Sequence, residues 1–114
     1  MDKKYADHFN TCMYNKAVLI AYDPVKDEVN QEKQGLSLGR AGLLDWATAL
    51  IRIDTRFDYF EVRYQALGLL GMRVHLVVFT IRDEALRIIS LRRTNRREER
   101  RYEETRNPAN PPSR

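Results

Sequence analysis

Arg87-Ile88-Ile89-Ser90-Leu91-Arg92-Arg93-Thr94-Asn95-Arg96-Arg97-Glu98-Glu99-Arg100-Arg101-Tyr102 is the stretch on which the reading of this chain turns. Its first part is apolar and β-branched enough for a strand. Its second part has almost no apolar residue, and Asn95 followed three positions later by Glu98 has the spacing of a capping box. A strand therefore runs, with hardly a loop, into a helix that is polar all round. Such a helix gains little from core packing, so Tyr102, its lone aromatic, reads as its anchor to the sheet. The arginines are the chemical content of the stretch. A guanidinium is permanently charged and offers a planar fork of donors that matches a phosphate. Beside a small sheet, such a cluster points to a surface that holds RNA and cuts it.

Reading outward, Arg73 to Thr80 is the most β-rich segment, joined to Ala85–Leu91 by a tight hairpin at Arg82-Asp83-Glu84. Tyr59 to Leu69 reads as a longer strand, with Gly68 and Gly71 bracketing the next turn, and Leu50 to Asp54 as the strand before it. Consecutive strands with short links make an antiparallel meander. Nearer the start, Lys16 to Tyr22 is a plausible first strand. Asp23 and Pro24 then open a helix that Gly35 closes after Gln34. Ser37 caps a second helix with Leu38, Ala41, Leu44 and Ala47 or Thr48 on its inner stripe. The last helix ends near Thr105. The predicted order is β-α-α-β-β-β-β-α, an α+β domain over residues 16–105, between a flexible arm (1–15) and a disordered tail (106–114).

The 114 residues suffice for one domain with one modest core, and 43% hydrophobic residues make it globular. A net charge of +4 and a pI near 9.4 fit a polyanionic partner. The single cysteine, Cys12, rules out an internal disulfide and reads as a tolerated free thiol rather than a nucleophile. No apolar signal core follows Met1-Asp2-Lys3-Lys4-Tyr5, and no run approaches the roughly 18 residues that span a bilayer, so a cytoplasmic protein without a membrane partner is expected. No CxxC, HExxH, carboxylate cluster or Gly-rich phosphate loop occurs, so neither a metal nor a cofactor is expected.

Several residues carry candidate chemistry. Lys26, Asn30, Lys33 and Gln34 share one face of the first helix, with Val25 and Val29 toward the inner side; a solvated face is the plainer meaning. Glu61 and Arg63, two apart in the expected strand, would share a sheet face as base and phosphate clamp, or as a surface ion pair. Arg87 and the Arg92–Arg93 pair follow from the next strand, and Arg63 and Arg87 would converge. Glu98 either caps its helix or takes a proton. His8 lies in the arm, and His75, in the most hydrophobic strand, reads as a satisfied sheet histidine.

Asp23-Pro24-x-Lys26-x-x-x-Asn30-x-x-Lys33-Gln34-Gly35-Leu36-Ser37 resembles the opening motif of the BrnT toxins, small ribonucleases of bacterial type II toxin–antitoxin systems with a RelE-like fold. Glu61-x-Arg63-Tyr64-x-x-x-Gly68 is similar to the family's second signature. Thr80 and Arg82, Arg87-Ile88-Ile89-Ser90-x-Arg92, Arg96-Arg97-Glu98 and Tyr102-Glu103 are similar to its third. The resemblance spans about residues 18–104. It implies a toxin that cleaves RNA and slows translation. It also implies a BrnA-like antitoxin partner, in a tetramer of two toxins and two antitoxins that binds operator DNA through the antitoxin. One departure stands out: members usually have Lys-His-Gly where this chain has Lys33-Gln34-Gly35, and glutamine exchanges no proton near neutral pH.

Metal-free RNA cleavage needs a base for the 2′-hydroxyl, positive charge for the pentacovalent intermediate and an acid for the 5′-oxygen. The expected assignment gives Arg63, Arg87 and Arg92 the charge stabilisation and Glu98, or else Glu61, the proton. Lys33, Gln34, Arg82, Arg93, Arg96 and Arg97 would hold the RNA. The alternatives are an attenuated RNA- and antitoxin-binding module, and a protein-complex component with no RNA role.

Overall fold

The densest apolar run forms the middle of the sheet. In the computed structural model, which describes residues 18–56 and 60–106, β4 (Arg73–Arg82) is flanked on one side by β3 (Tyr64–Leu70) and β2 (Leu50–Ile53). On the other side lie β5 (Ala85–Arg93) and β1 (Ile20–Ala21). The four strands β2 to β5 are antiparallel neighbours in chain order, as the short links require. The sheet as a whole is mixed, because β1 joins the far edge parallel to β5, with Ile20 opposite Leu86 and Ala21 opposite Arg87.

The expected order of elements holds with three corrections. First, the helix cap at Asp23 and the close at Gly35 enclose α1 (Pro24–Gln34), with the Asp23 carboxylate accepting from Val25 N–H, but Val25 and Val29 are exposed. The residue α1 buries is Asn30. Second, the segment after Ser37 is no α-helix. It forms two 3-10 pieces, Leu38–Leu43 and Trp46–Thr48; Leu38, Ala41 and Leu44 are buried as expected, but Ala47 is exposed, Thr48 only partly buried, and Trp46 takes the inner place. Gly39 and Gly42 within it are poor helix formers, and the tighter winding keeps the same apolar side inward. Third, β3 starts at Tyr64, so Glu61 and Arg63 precede the strand rather than lie in it.

Gly68 falls inside β3 and not at a turn. A Cβ there would come within 3.0 Å of a Leu44 side-chain carbon, so the missing side chain admits the 3-10 segment against the sheet. The turn itself is Gly71-Met72, with Gly71 at φ 67°, where a two-residue hairpin needs a left-handed first position. On the other hairpin both central residues, Asp83 (φ 53°) and Glu84 (φ 62°), are left-handed, a type I′ turn made without glycine.

Two apolar layers hold the sheet. One face carries Ala66, Leu70, Val77, Phe79, Leu86, Ile88 and Leu91 against the 3-10 segment, with Phe79 stacked on Tyr64 and edge-on to Trp46. The other carries Leu67, Val74, Leu76 and Val78 under α2 (Arg96–Arg106), whose one buried residue is Tyr102. The anchor read from the sequence is therefore borne out. The α2 helix ends at Arg106, one residue past the expected end. The expected arm with His8 and Cys12, residues 16 and 17 of the expected first strand, residues 57 and 58 of the expected turn with Tyr59 of the expected strand, and the expected tail beyond Arg106 lie outside the described residues. No helix among those described is long and apolar enough to cross a membrane.

Candidate functional site

Arg87 and Arg92 are five residues apart, and in a regular strand they would point to opposite faces. They do not, because β5 carries a bulge. Val78 pairs with Ser90 while Phe79 pairs with Ile88, so Ile89 is an extra residue on β5. Arg87 stands opposite Thr80 and Arg92 opposite Leu76. Leu76, Val78 and Thr80 alternate on one face of β4, so both arginines emerge on the face that α2 covers in part. Arg63 joins them from the position just ahead of β3. Tyr64 is paired with Phe79, and the Asp54 N–H donates to the Arg63 carbonyl at 2.7 Å, so the same register puts Arg63 abreast of Thr80. Continued by one residue, this register sets Arg63 and Arg87 on either side of Thr80.

The three arginines are held differently. Arg92 makes a two-pronged contact with Glu98, Nη1 to Oε1 at 3.0 Å and Nη2 to Oε2 at 2.8 Å, and also donates to the Arg93 carbonyl. The Arg87 side chain is half-buried and, among the described residues, makes no hydrogen bond or ion pair. Thr80, between Arg63 and Arg87, donates its hydroxyl to the Val62 carbonyl. Arg82 stands on the rim of the same face, paired at 2.9 Å with Glu61 in an exposed contact.

Glu98 has two structural roles at once. Its carboxylate accepts from the Asn95 N–H at 3.0 Å while its own N–H donates to the Asn95 side chain at 2.8 Å, closing the capping box. The same carboxylate grips Arg92. The Arg92 hydrogen bonds hold the Glu98 carboxyl below its ordinary value; burial opposes this, and the Asn95 N–H and the charges of Arg92 and Arg101 add to it. It is ionised at neutral pH and a weak proton acceptor.

Other expected residues lie apart from this face. Arg93 is paired with His75, one step out of phase with Leu76, and so emerges on the opposite face. His75 is buried with Nδ1 2.9 Å from the Arg73 carbonyl, the satisfied sheet histidine that was expected. Lys33 and Gln34 are exposed at the end of α1, and Arg96 and Arg97 are exposed in the first turn of α2. Asn30, read as part of a phosphate-facing surface, is instead buried. Its amide donates to the Leu91 carbonyl at 2.9 Å and to the Leu36 carbonyl at 2.8 Å, and its oxygen accepts from the Leu91 N–H. One carboxamide thereby takes the place of a neighbouring strand along the part of β5 that the two-residue β1 does not reach.

Sequence reasoning missed Arg52, Gln65 and Arg101. Arg52 on β2 donates to the Gln65 side chain at 3.1 Å, and Arg101 of α2 lines the same small recess with Leu50 and Leu67. The available signal was weak: Arg101 follows Glu98 at helical spacing, but nothing local ties it to β2. Among the described residues no group of three or more His, Cys, Asp or Glu side chains is arranged to hold a metal.

Against this geometry, the family model described as "Ribonuclease toxin, BrnT, of type II toxin-antitoxin system" matches residues 22–98. A search of curated proteins gave no match.

Proposed function

Since the chain belongs to the BrnT family of type II toxin–antitoxin ribonuclease toxins, we propose that the arginine face shared by β3, β5 and α2 is where RNA is bound and cut without a metal. The observation that carries this reading is the set Arg63, Arg87 and Arg92 on one face, with Arg87 unengaged and Arg92 aimed by Glu98. In the proposed step the substrate 2′-oxygen attacks the adjacent phosphorus, the P–O5′ bond breaks, and a cyclic phosphate and a free 5′-hydroxyl result. Negative charge grows on the phosphoryl oxygens, where fixed guanidinium donors stabilise it more than they stabilise the ground state.

Glu98 in this reading is a positioning residue, because its proton affinity is lowered by the arginine it holds. Glu61, more exposed and held by one contact to Arg82, is then the carboxylate available for the 2′-hydroxyl proton; water supplies the proton to the departing oxygen. Arg82, Arg96 and Arg97 steer the strand, while Lys33, Gln34 and Arg93 serve RNA reaching around the β5 edge. We assign to the chain the RelE-like fold, translation inhibition in the cytoplasm, and a BrnA-like antitoxin in a tetramer of two toxins and two antitoxins that binds operator DNA through the antitoxin.

The test is cleavage of a long single-stranded RNA in EDTA by the chain and by folded Arg87→Ala and Arg92→Ala variants. Each variant is expected to lose about 10²–10³ in single-turnover rate, the usual effect of removing one preorganised donor. Wild-type rates in both would remove these arginines from the mechanism. Gln34, where relatives have histidine, supports a second reading as an attenuated binder. A large rate gain in Gln34→His would favour it, and an unchanged rate would show that this position limits nothing.

A further inference from the structure

The recess beside the arginine face holds a charge arrangement that the cleavage step does not use. Arg52 comes from edge strand β2, Arg101 from the middle of α2, and Gln65 from β3 lies between them. The carboxylates nearby are engaged elsewhere: Glu98 with Arg92, Glu61 with Arg82, and Asp54 with Arg56. Among the described residues neither Arg52 nor Arg101 has an ion pair, and Arg101 Nε is buried without a hydrogen-bond partner. The recess around that nitrogen has a volume of about 10 Å³, room for a water and not for a phosphate, so a larger anion meets the outer nitrogens of the two side chains at its mouth. Burial, and after it the charge of Arg52, lowers the Arg101 guanidinium below its usual value, and the Glu98 carboxylate offsets this only in part, so the two cations work against each other.

The geometry points to a second phosphate-binding subsite formed by Arg52 and Arg101, with Gln65 orienting the Arg52 guanidinium, that takes a backbone phosphate of the RNA strand away from the scissile one. The assignment rests on the ribonuclease reading and extends it. An oxyanion at the mouth of the recess meets the outer nitrogens of both guanidinium groups and offsets the repulsion between the two arginines in one contact. The subsite is on the same sheet face as Arg92, since Arg52 pairs with Gln65 and Gln65 with Val78. β2 and β5 are three strand spacings apart, about 14 Å, which separates the two anion positions along one strand of RNA. The α2 helix spans this distance, with Glu98 over β5 and Arg101 over β2 and β3.

The probe is a short single-stranded RNA with 2′-O-methyl groups, which binds but offers no nucleophile. Its affinity is measured against salt for the full chain and for Arg52→Gln, Arg101→Gln and Arg101→Lys. Each Gln variant is expected to reduce the log–log salt slope by about 0.7, the value for one phosphate contact on a single strand. Arg101→Lys, which keeps the charge, is expected to retain most of the slope. With a cleavable substrate, KM should rise more than kcat falls in both Gln variants. Thermal unfolding shows that each variant is folded, and Arg52→Gln, at a sheet edge, is the substitution least coupled to packing. Unchanged slopes in folded Gln variants would overturn the subsite and leave the cleavage site standing. Absence of salt-dependent binding by the unsubstituted chain would overturn both.

Discussion

At the scale of single residues, the same side chain often serves fold and chemistry together. Glu98 closes a capping box and grips Arg92, and its carboxyl is held below the ordinary value of 4.5. A carboxylate with a lowered folded-state pKa stabilises the fold above the unfolded value and loses that contribution as pH falls below it. Unfolding measured against pH should therefore show stability falling below about pH 4.5. Glu98→Gln should be less stable by about 1 kcal/mol at neutral pH, with the difference closing in acid, the scale of one partly exposed charged pair. Asn30 is the opposite case, a polar residue with a purely structural task. Asn30→Leu leaves the Leu91 N–H and carbonyl without their buried partner and should cost about 1–3 kcal/mol in denaturant unfolding. The cap at Asn95 and Glu98 was legible because both partners lie within one helical turn. The role of Asn30 was not, because its partner is 61 residues away and periodicity says nothing about it.

Among the elements, strands and caps were read more surely than the segment after Ser37. Leu38, Ala41 and Leu44 face inward as read, since burial at every third position suits an α-helix and a 3-10 turn alike, but the helix type differs and Trp46 rather than Ala47 or Thr48 continues the stripe. The fit of that segment against β3 depends on Gly68. Gly68→Ala drives a Cβ to 3.0 Å from Leu44 and should destabilise the fold by about 1–3 kcal/mol, an overpacking effect that a companion Leu44→Ala would relieve. The β4–β5 hairpin errs the other way. Its left-handed Glu84 has a Cβ that this conformation disfavours, so Glu84→Gly should raise stability by about 0.5–1 kcal/mol, read as a higher melting temperature with unchanged RNA cleavage. The hairpin was recognisable from its length, but its turn type was not, because neither Asp nor Glu announces a type I′ turn as Asn-Gly does.

For the molecule as a whole, one sheet face is given to the core and the other is divided between a helix and an arginine surface. The meander was legible in the sequence, since four β-rich runs with short links leave little choice. The parallel seat of β1 was not, because two residues carry no directional signal. The arginines could be listed from the sequence, yet their common face depends on pairing partners that no local window contains. The extra residue in β5 makes this concrete. A scan of single substitutions along Ala85–Arg93 should find sensitivity to burial at even-numbered positions up to Ile88, and then at odd-numbered Leu91. Sensitivity in RNA cleavage should do the reverse, at Arg87 and then at Arg92. The two rhythms change beat at the same place, so one strand keeps time for the core and for the proposed catalytic surface, and removing Ile89 alone should leave both in step as one unbroken alternation, whereas removing a paired neighbour would turn one stretch over.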